Sequence, residues 1–148
     1  MKLKKGSTAW WKDRTWKMFS KYIRMRDYAK QDDPEPYIAD CITCGKGYPI
    51  AGQGCLQAGH FITRVRGAIL FDERNVHAQC YNCNIRLKGA TDNYTEYMQR
   101  TYGQETIDEL MQTRFDDAGF NPVVLEQMYY DYQSKLRELT DIYGDPFK

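Results

Sequence analysis

Several features that would classify a chain quickly are missing from these 148 residues. No run approaches the roughly 18–20 consecutive apolar residues of a membrane span, and no apolar segment follows the charged start Met1-Lys2-Leu3-Lys4-Lys5-Gly6. Both absences argue against a membrane role and for a soluble, cytoplasmic protein. Internal repeats and low-complexity tracts are also missing, which excludes solenoid and array architectures. The length excludes a multidomain machine and predicts a single domain over 1–148. Histidine is scarce, with two residues, and the five cysteines cannot all pair, so a disulfide framework is disfavoured relative to metal binding in a reducing compartment. Net charge is nearly absent as well, at +1.

That small total conceals a gradient. Residues 1–30 carry ten basic and two acidic side chains (+8), residues 31–103 seven and eight (−1), and residues 104–148 four and ten (−6). Charge asymmetry of this kind points to a nucleic acid or another acidic surface. The basic end also reads as a helix over 7–31: Ser7 is a suitable N-cap, and Trp11, Met18, Tyr22 and Met25 recur at helical spacing. Arg14, Lys17, Lys21 and Arg24 fall on another face, and Pro34 and Pro36 end the segment. Residues 1–36 are therefore expected to form a basic N-terminal helix, 37–89 the chemical centre, and 90–148 a helical region.

In the centre, short strands are expected around 56–63 and 68–77 and a short helix around 80–88. Behind it three helical patterns cover about 92–102, 104–114 and 122–143, the last opened by Asn121-Pro122 and closed by Gly144. In that last helix Leu125, Met128, Tyr132, Leu136, Leu139 and Tyr143 form one apolar face, suited to packing the core or a second subunit. The chain is thus expected to be a monomer, or a homodimer joined through its C-terminal helices.

Cys41-Ile42-Thr43-Cys44 and Cys80-Tyr81-Asn82-Cys83 are two tight turns, each able to present two thiolates to one ion. Together they supply the four ligands of a closed, structural zinc site, with redox motifs or small buried hydrophobes as the other readings. The 35 intervening residues exceed ordinary zinc-ribbon spacing, so they must form a folded unit of their own. Cys55 is left over as a buried thiol.

Between and beside the pairs stand Ala58-Gly59-His60-Phe61, Arg64, Arg66, the run Phe71 to Gln79, and Asn84 directly after the last cysteine. This arrangement resembles the zinc-stabilised HNH, or ββα-metal, endonuclease finger, in the variant seen in phage recombination endonuclease VII. The run AGHF through NVHAQCYNCN is similar to the NinG (Rap) recombination nucleases of phages. The match covers about residues 38–89. It implies an α+β fold in which a ββα-metal finger with a four-cysteine zinc site is flanked by the basic helix and the C-terminal helices. A phage origin would place the protein in the cytoplasm of the host cell.

The resemblance implies a metal-dependent DNA endonuclease, nicking one strand of a duplex or resolving branched, Holliday-type junctions. The alternative is a non-catalytic zinc module that binds nucleic acid. In the enzyme reading, His60 is the general base, since an imidazole can accept a proton near neutral pH. Asn84 offers a carbonyl oxygen to a catalytic Mg²⁺ or Mn²⁺, distinct from the zinc. Asn75 corresponds to the central Asn of the family pattern and supports the loop that carries the base. Arg64 and Arg66 are either a phosphate clamp or solvated loop arginines. Many HNH sequences carry an Asp immediately before the base, where this chain has Gly59. A second metal ligand is then expected from Asp72, Glu73 or His77, with His77 otherwise supporting the zinc site or the helix entry. On the flank, Trp10, Trp11 and Trp16 alternate with basic residues; Trp11 and Trp16 are expected to pack, while Arg14, Lys17, Lys21 and Arg24 face DNA.

Overall fold

The structure, a computed structural model, describes residues 2–63 and 67–148. Helix α1 (Thr8–Ala29) begins where Ser7 Oγ accepts a hydrogen bond from the Trp10 amide at 3.2 Å, the N-cap the sequence predicts. Two antiparallel pairs follow: β1 (Ile38–Asp40) with β2 (Gly47–Pro49), and β3 (Gln57–His60) with β4 (Val76–Gln79). A short π-helical turn, Asn82–Arg86, comes directly after β4. Helices α2 (Thr91–Thr101), α3 (Gln104–Thr113) and α4 (Pro122–Tyr143) complete the chain. The architecture is mixed α+β, with two small sheets among the described residues.

The predicted helices stand close to their expected bounds, but the strands differ. The pair β1 and β2 was not anticipated: each strand has three residues, too few for alternation to show, and they are joined by the turn that holds Cys41 and Cys44. The strand expected over 68–77 is instead confined to Val76–Gln79. Ahead of it the chain turns at Asp72, whose side chain caps a 3₁₀ turn at Glu73–Asn75. The helix expected around 80–88 is a short π-helical turn instead, with the Leu87 amide bonded to the Asn82 carbonyl five residues back at 2.8 Å.

The β3–β4 hairpin is gripped on one edge by α1. Asp27 accepts the Ala78 amide at 2.7 Å, and the Arg26 guanidinium donates to the carbonyls of Glu73 and Val76 at 2.8 and 2.7 Å. Asp27 also pairs with Arg26 at 2.9 Å. The Ala78 amide and the Val76 carbonyl on the open edge of β4 are thus satisfied by side chains rather than by a third strand, which also blunts the edge against pairing with another chain. One face of the hairpin, with Ala58 and Val76, packs on Phe19 and Ile23 of α1 and on Leu125 and Tyr132 of α4. The apolar face of α4 is therefore used against α1 within the same chain. A second cluster lies under the cysteine turns around Met25, Ile50 and Leu56, and a third joins Ile62 and Ile69 to α2 and α3 through Tyr94, Met98 and Leu110.

Candidate functional site

The two cysteine turns converge. The Sγ atoms of Cys41, Cys44, Cys80 and Cys83 all lie within 4.8 Å of one another, and Cys44 and Cys80 are separated by 3.9 Å. Tetrahedral thiolates at a Zn–S distance of ~2.3 Å would stand about 3.8 Å apart, so the set suits one zinc ion. The first turn closes through a bond from the Gly45 amide to the Cys41 carbonyl, with Gly45 at φ +77°, a conformation that favours glycine. The Ile42 amide donates to the Ala78 carbonyl at 3.0 Å and ties this turn to β4. The cluster thereby anchors both the hairpin and the turn carrying Asn84.

His60 ends β3, half-buried, its ring stacked on Trp16 of α1 at 4.9 Å and 15°. Its Nε2 lies 3.0 Å from the Leu70 carbonyl. A carbonyl can only accept, so Nε2 carries the proton and Nδ1 keeps its lone pair. Burial lowers the His60 pKa below the ordinary histidine value, against a smaller opposite pull from the Leu70 carbonyl. The imidazole is consequently held neutral, in one tautomer, with Nδ1 as the basic atom.

Asn75 is fully buried and bridges the loop that leaves β3. Its Oδ1 accepts the Ile62 amide at 2.8 Å, and its Nδ2 donates to the carbonyls of Ile62 and Ile69 at 3.2 and 3.4 Å. The Asn75 carbonyl also accepts the Phe61 amide at 2.8 Å. These bonds tie the loop that leaves β3 to the residue directly before β4.

On the opposite face of the hairpin from His60, Asn84 Nδ2 donates to Gln57 Oε1 at 2.8 Å. The backbone of Gly59 and the side chain of Gln79 complete this corner. Gln79 is fully buried; its Nε2 donates to the Gly89 carbonyl at 3.0 Å and to Thr43 Oγ1 at 3.2 Å, while its Oε1 has no hydrogen-bond partner among the described residues. A Cβ on Gly59 would overlap Gln79 Oε1 and lie 3.0 Å from Asn84 Oδ1. The backbone of Gly59 is held from α2: the Tyr94 hydroxyl donates to its carbonyl at 2.7 Å. Having spent its proton there, Tyr94 accepts from His77 Nδ1 at 3.0 Å, and His77 Nε2 accepts from the Tyr102 hydroxyl at 2.8 Å. Burial, reinforced by the nearby Arg26 and Lys30 charges, pushes the His77 pKa down to about 2, so His77 is neutral.

The three residues proposed as a second metal ligand are engaged elsewhere. Asp72 holds Arg74 at 2.9 Å, and Glu73 accepts from Tyr22 and Lys135 at 2.9 and 3.0 Å. His77 has both ring nitrogens bound to tyrosines, rather than to the cysteine cluster. Gln79, Gln57 and Tyr94 were not singled out from the sequence. The only hint was adjacency for Gln79, which directly precedes Cys80.

The family model described as Bacteriophage Lambda NinG protein matches residues 1–141. The chain belongs to the NinG family. The ninG protein of Escherichia phage 933W is 29% identical over 132 residues, covering 88% of this chain and 59% of that protein. The ninG protein of Escherichia phage lambda is 28% identical over 132 residues, covering 88% and 58%. That of Enterobacteria phage H19B is 41% identical over 54 residues, covering 36% and 27%. The chain spans about 59% of the length of the first of these relatives. No solved structure matches it.

The basic stripe of this NinG-family chain is graded along α1. Arg14 is exposed and stacks over Trp10 at 4.6 Å and Tyr129 at 5.2 Å. Lys17 is exposed but paired with Asp13 at 2.8 Å. Lys21 and Arg24 flank the Phe147 ring, and Arg24 donates to the Ile50 carbonyl at 2.8 Å and contacts Cys55 Sγ at 3.4 Å. Arg24 is thus tied to the loop after β2, while Arg14 is displayed. Trp11 and Trp16 are both partly buried, Trp11 against Tyr129 and Trp16 against His60. Arg64 and Arg66 lie outside the described residues. No helix among the described residues is long and apolar enough to cross a membrane.

Proposed function

We propose that this NinG-family chain is a zinc-stabilised, metal-dependent DNA endonuclease of the HNH type, acting on duplex or branched DNA. The observation that carries the reading is His60: its proton sits on Nε2 against the Leu70 carbonyl and its ring is stacked on Trp16, which leaves Nδ1 as the basic nitrogen of the ring. The β3–β4 hairpin followed by the turn at Asn82–Arg86, with the cysteine cluster beneath, supports the same reading.

The work of each residue follows from its contacts. The His60 Nδ1 takes the proton of a water directed at phosphorus, and the Leu70 carbonyl holds the Nε2–H throughout, so the ring cannot change tautomer. The Trp16 ring shields one face of the imidazole from solvent and keeps it neutral before the transfer. Asn75 fixes the loop after His60, and Tyr94 fixes the peptide before it. Asn84 Oδ1, its amide turned by Gln57, is an oxygen donor that fits a hard divalent cation. Such a cation, when bound, supplies charge stabilisation at the phosphate and the leaving oxygen. DNA affinity is assigned to the +8 segment 1–30, with Arg14 as its displayed member, and should fall steeply with salt.

Supercoiled plasmid and a synthetic four-way junction, incubated with zinc-loaded protein and Mg²⁺, Mn²⁺ or EDTA, test the proposal. Metal-dependent open circles indicate nicking, and resolved duplexes indicate junction resolution. His60→Ala should abolish either product while retaining zinc content and circular dichroism. Retained activity in that variant refutes the assignment of the base. The second reading, a zinc module that binds nucleic acid without cutting it, is favoured by Gly59 and by the engagement of Asp72, Glu73 and His77. It predicts salt-sensitive binding with no product on either substrate.

A further inference from the structure

We infer that Gln79 Oε1 and Asn84 Oδ1 together are the protein ligands of the divalent cation, and that Gly59 is glycine because Gln79 occupies the space a side chain there would need. This inference rests on the endonuclease reading for the purpose of the ion, but its geometry stands separately. Gln79 is fully buried and its Oε1 lacks a hydrogen-bond partner among the described residues, a costly state for a buried acceptor unless a cation or donor arrives. The orientation of the amide is not free. The Gly89 carbonyl, at 3.0 Å, can only accept, so Nε2 must face it and Oε1 must face Gly59 and Asn84.

The second oxygen is aimed at the same place. The Cβ position of Gly59 would overlap Gln79 Oε1 and sit 3.0 Å from Asn84 Oδ1, so both oxygens border one small volume beside the β3 backbone. Each is fixed by its own nitrogen: Asn84 Nδ2 by Gln57, and Gln79 Nε2 by Gly89 and by Thr43 in the first cysteine turn. Gln79 is buried and Asn84 half-buried, so an ion arriving from solvent meets Asn84 first. Two neutral amide oxygens suit a hard cation that keeps most of its waters and gains its remaining ligands from a phosphate. The carboxylate missing from position 59 is on this account replaced from the facing strand, because residue 79 projects into the same corner as residue 59.

Mn²⁺ alone, added substoichiometrically to the zinc-loaded 148-residue chain without DNA, provides the test through paramagnetic broadening of backbone amide signals. In the wild type, the signals of Gly59, Gln79 and Asn84 should broaden selectively. Gln79→Leu should reduce the broadening at least tenfold with zinc content unchanged, and Gly59→Ala should do the same by displacing Gln79. The double variant Gly59→Asp with Gln79→Ala should restore or exceed the wild-type effect, which also controls for misfolding of the single variants. Wild-type protein that shows no selective broadening, or folded Gln79→Leu that broadens as the wild type does, overturns the ligand assignment. Cleavage assays on the same samples separate the two proposals. Broadening that follows Gln79 in a protein that cuts nothing retains the ligands and removes the nuclease. His60-dependent cleavage with broadening indifferent to Gln79 does the reverse.

Discussion

Replacing Asn75 tests whether the loop leaving β3 is held as described. In Asn75→Ala the Ile62 amide loses its acceptor at 2.8 Å, and the carbonyls of Ile62 and Ile69 lose a donor, all in a fully buried setting. An unsatisfied buried donor costs about 1–3 kcal/mol, and the weakened carbonyls and the small void add to it, so a loss of about 2–4 kcal/mol is expected. With a urea m-value of about 2 kcal/mol/M, the midpoint of zinc-saturated protein should fall by roughly 1–2 M at unchanged slope. Asn75→Asp sharpens the test. The carboxylate still accepts from Ile62, but its second oxygen faces two carbonyls and must carry a proton to donate, so its folded pKa is raised above the unfolded value of ~3.9. Between those two values the folded state binds more protons. The stability of this variant relative to wild type is then best at low pH and declines by about 1.4 kcal/mol per unit as pH rises toward the folded pKa. Urea titrations at pH 5.5 and 7.5 should show the gap to wild type widening at the higher pH. A midpoint shift under ~0.25 M for Asn75→Ala, worth about 0.5 kcal/mol, would refute the reasoning. So would a pH-independent gap for Asn75→Asp.

Three further outcomes are expected. His77, with its pKa pushed down to about 2, stays neutral while the unfolded chain protonates below ~6.5, so it removes about 1.4 kcal/mol of stability per pH unit as pH falls through that window. His77→Gln should flatten the stability profile between pH 7 and 5.5 relative to wild type, and parallel profiles would contradict the buried neutral assignment. In zinc-loaded protein, chelating an ion taken up by Cys41, Cys44, Cys80 and Cys83, the four thiols placed to hold one, should abolish the cooperative unfolding transition of the central region, followed by near-ultraviolet circular dichroism, and adding zinc back should recover it. Gly67→Ala places a Cβ against the Asp116 carbonyl, which also accepts the Ala68 amide at 3.1 Å, so it should lower the melting temperature by several degrees. An unchanged melting temperature would show that this close approach can relax.

The local chemistry of the chain was legible because it depends on short spacings. Two CxxC turns 35 residues apart can meet only if a folded unit lies between them, and they do meet. Capped, uninterrupted helical patterns such as 122–143 were legible for the same reason: the cap, the period and the closing glycine are all local. What could not be read was any arrangement made by residues far apart in sequence. The pair β1 and β2 is too short to show alternation, and its existence depends on the cysteine turn it encloses. The partners of Glu73 and His77 come from α1, α2 and α4, and that of Asp72 from two residues along, so composition near the site left them open as metal ligands.

Charge followed the same division. The sequence alone established that the +1 total is a cancellation between a +8 end and a −6 end, because charge is counted residue by residue. Which of those charges face outward was decided by packing: Arg14 is displayed over aromatic rings, whereas Arg24 is drawn inward by the Ile50 carbonyl. His60 and Asn84 were visible as residue types beside a cysteine frame. The tautomer of His60 is set by a carbonyl ten residues away, and the amide of Asn84 by Gln57 across 27 residues, distances that only the closed hairpin spans. Gln79 shows the division most plainly, since nothing in its sequence neighbourhood marks an oxygen as unpaired; that property exists only once Gly59, Gly89 and Thr43 surround it.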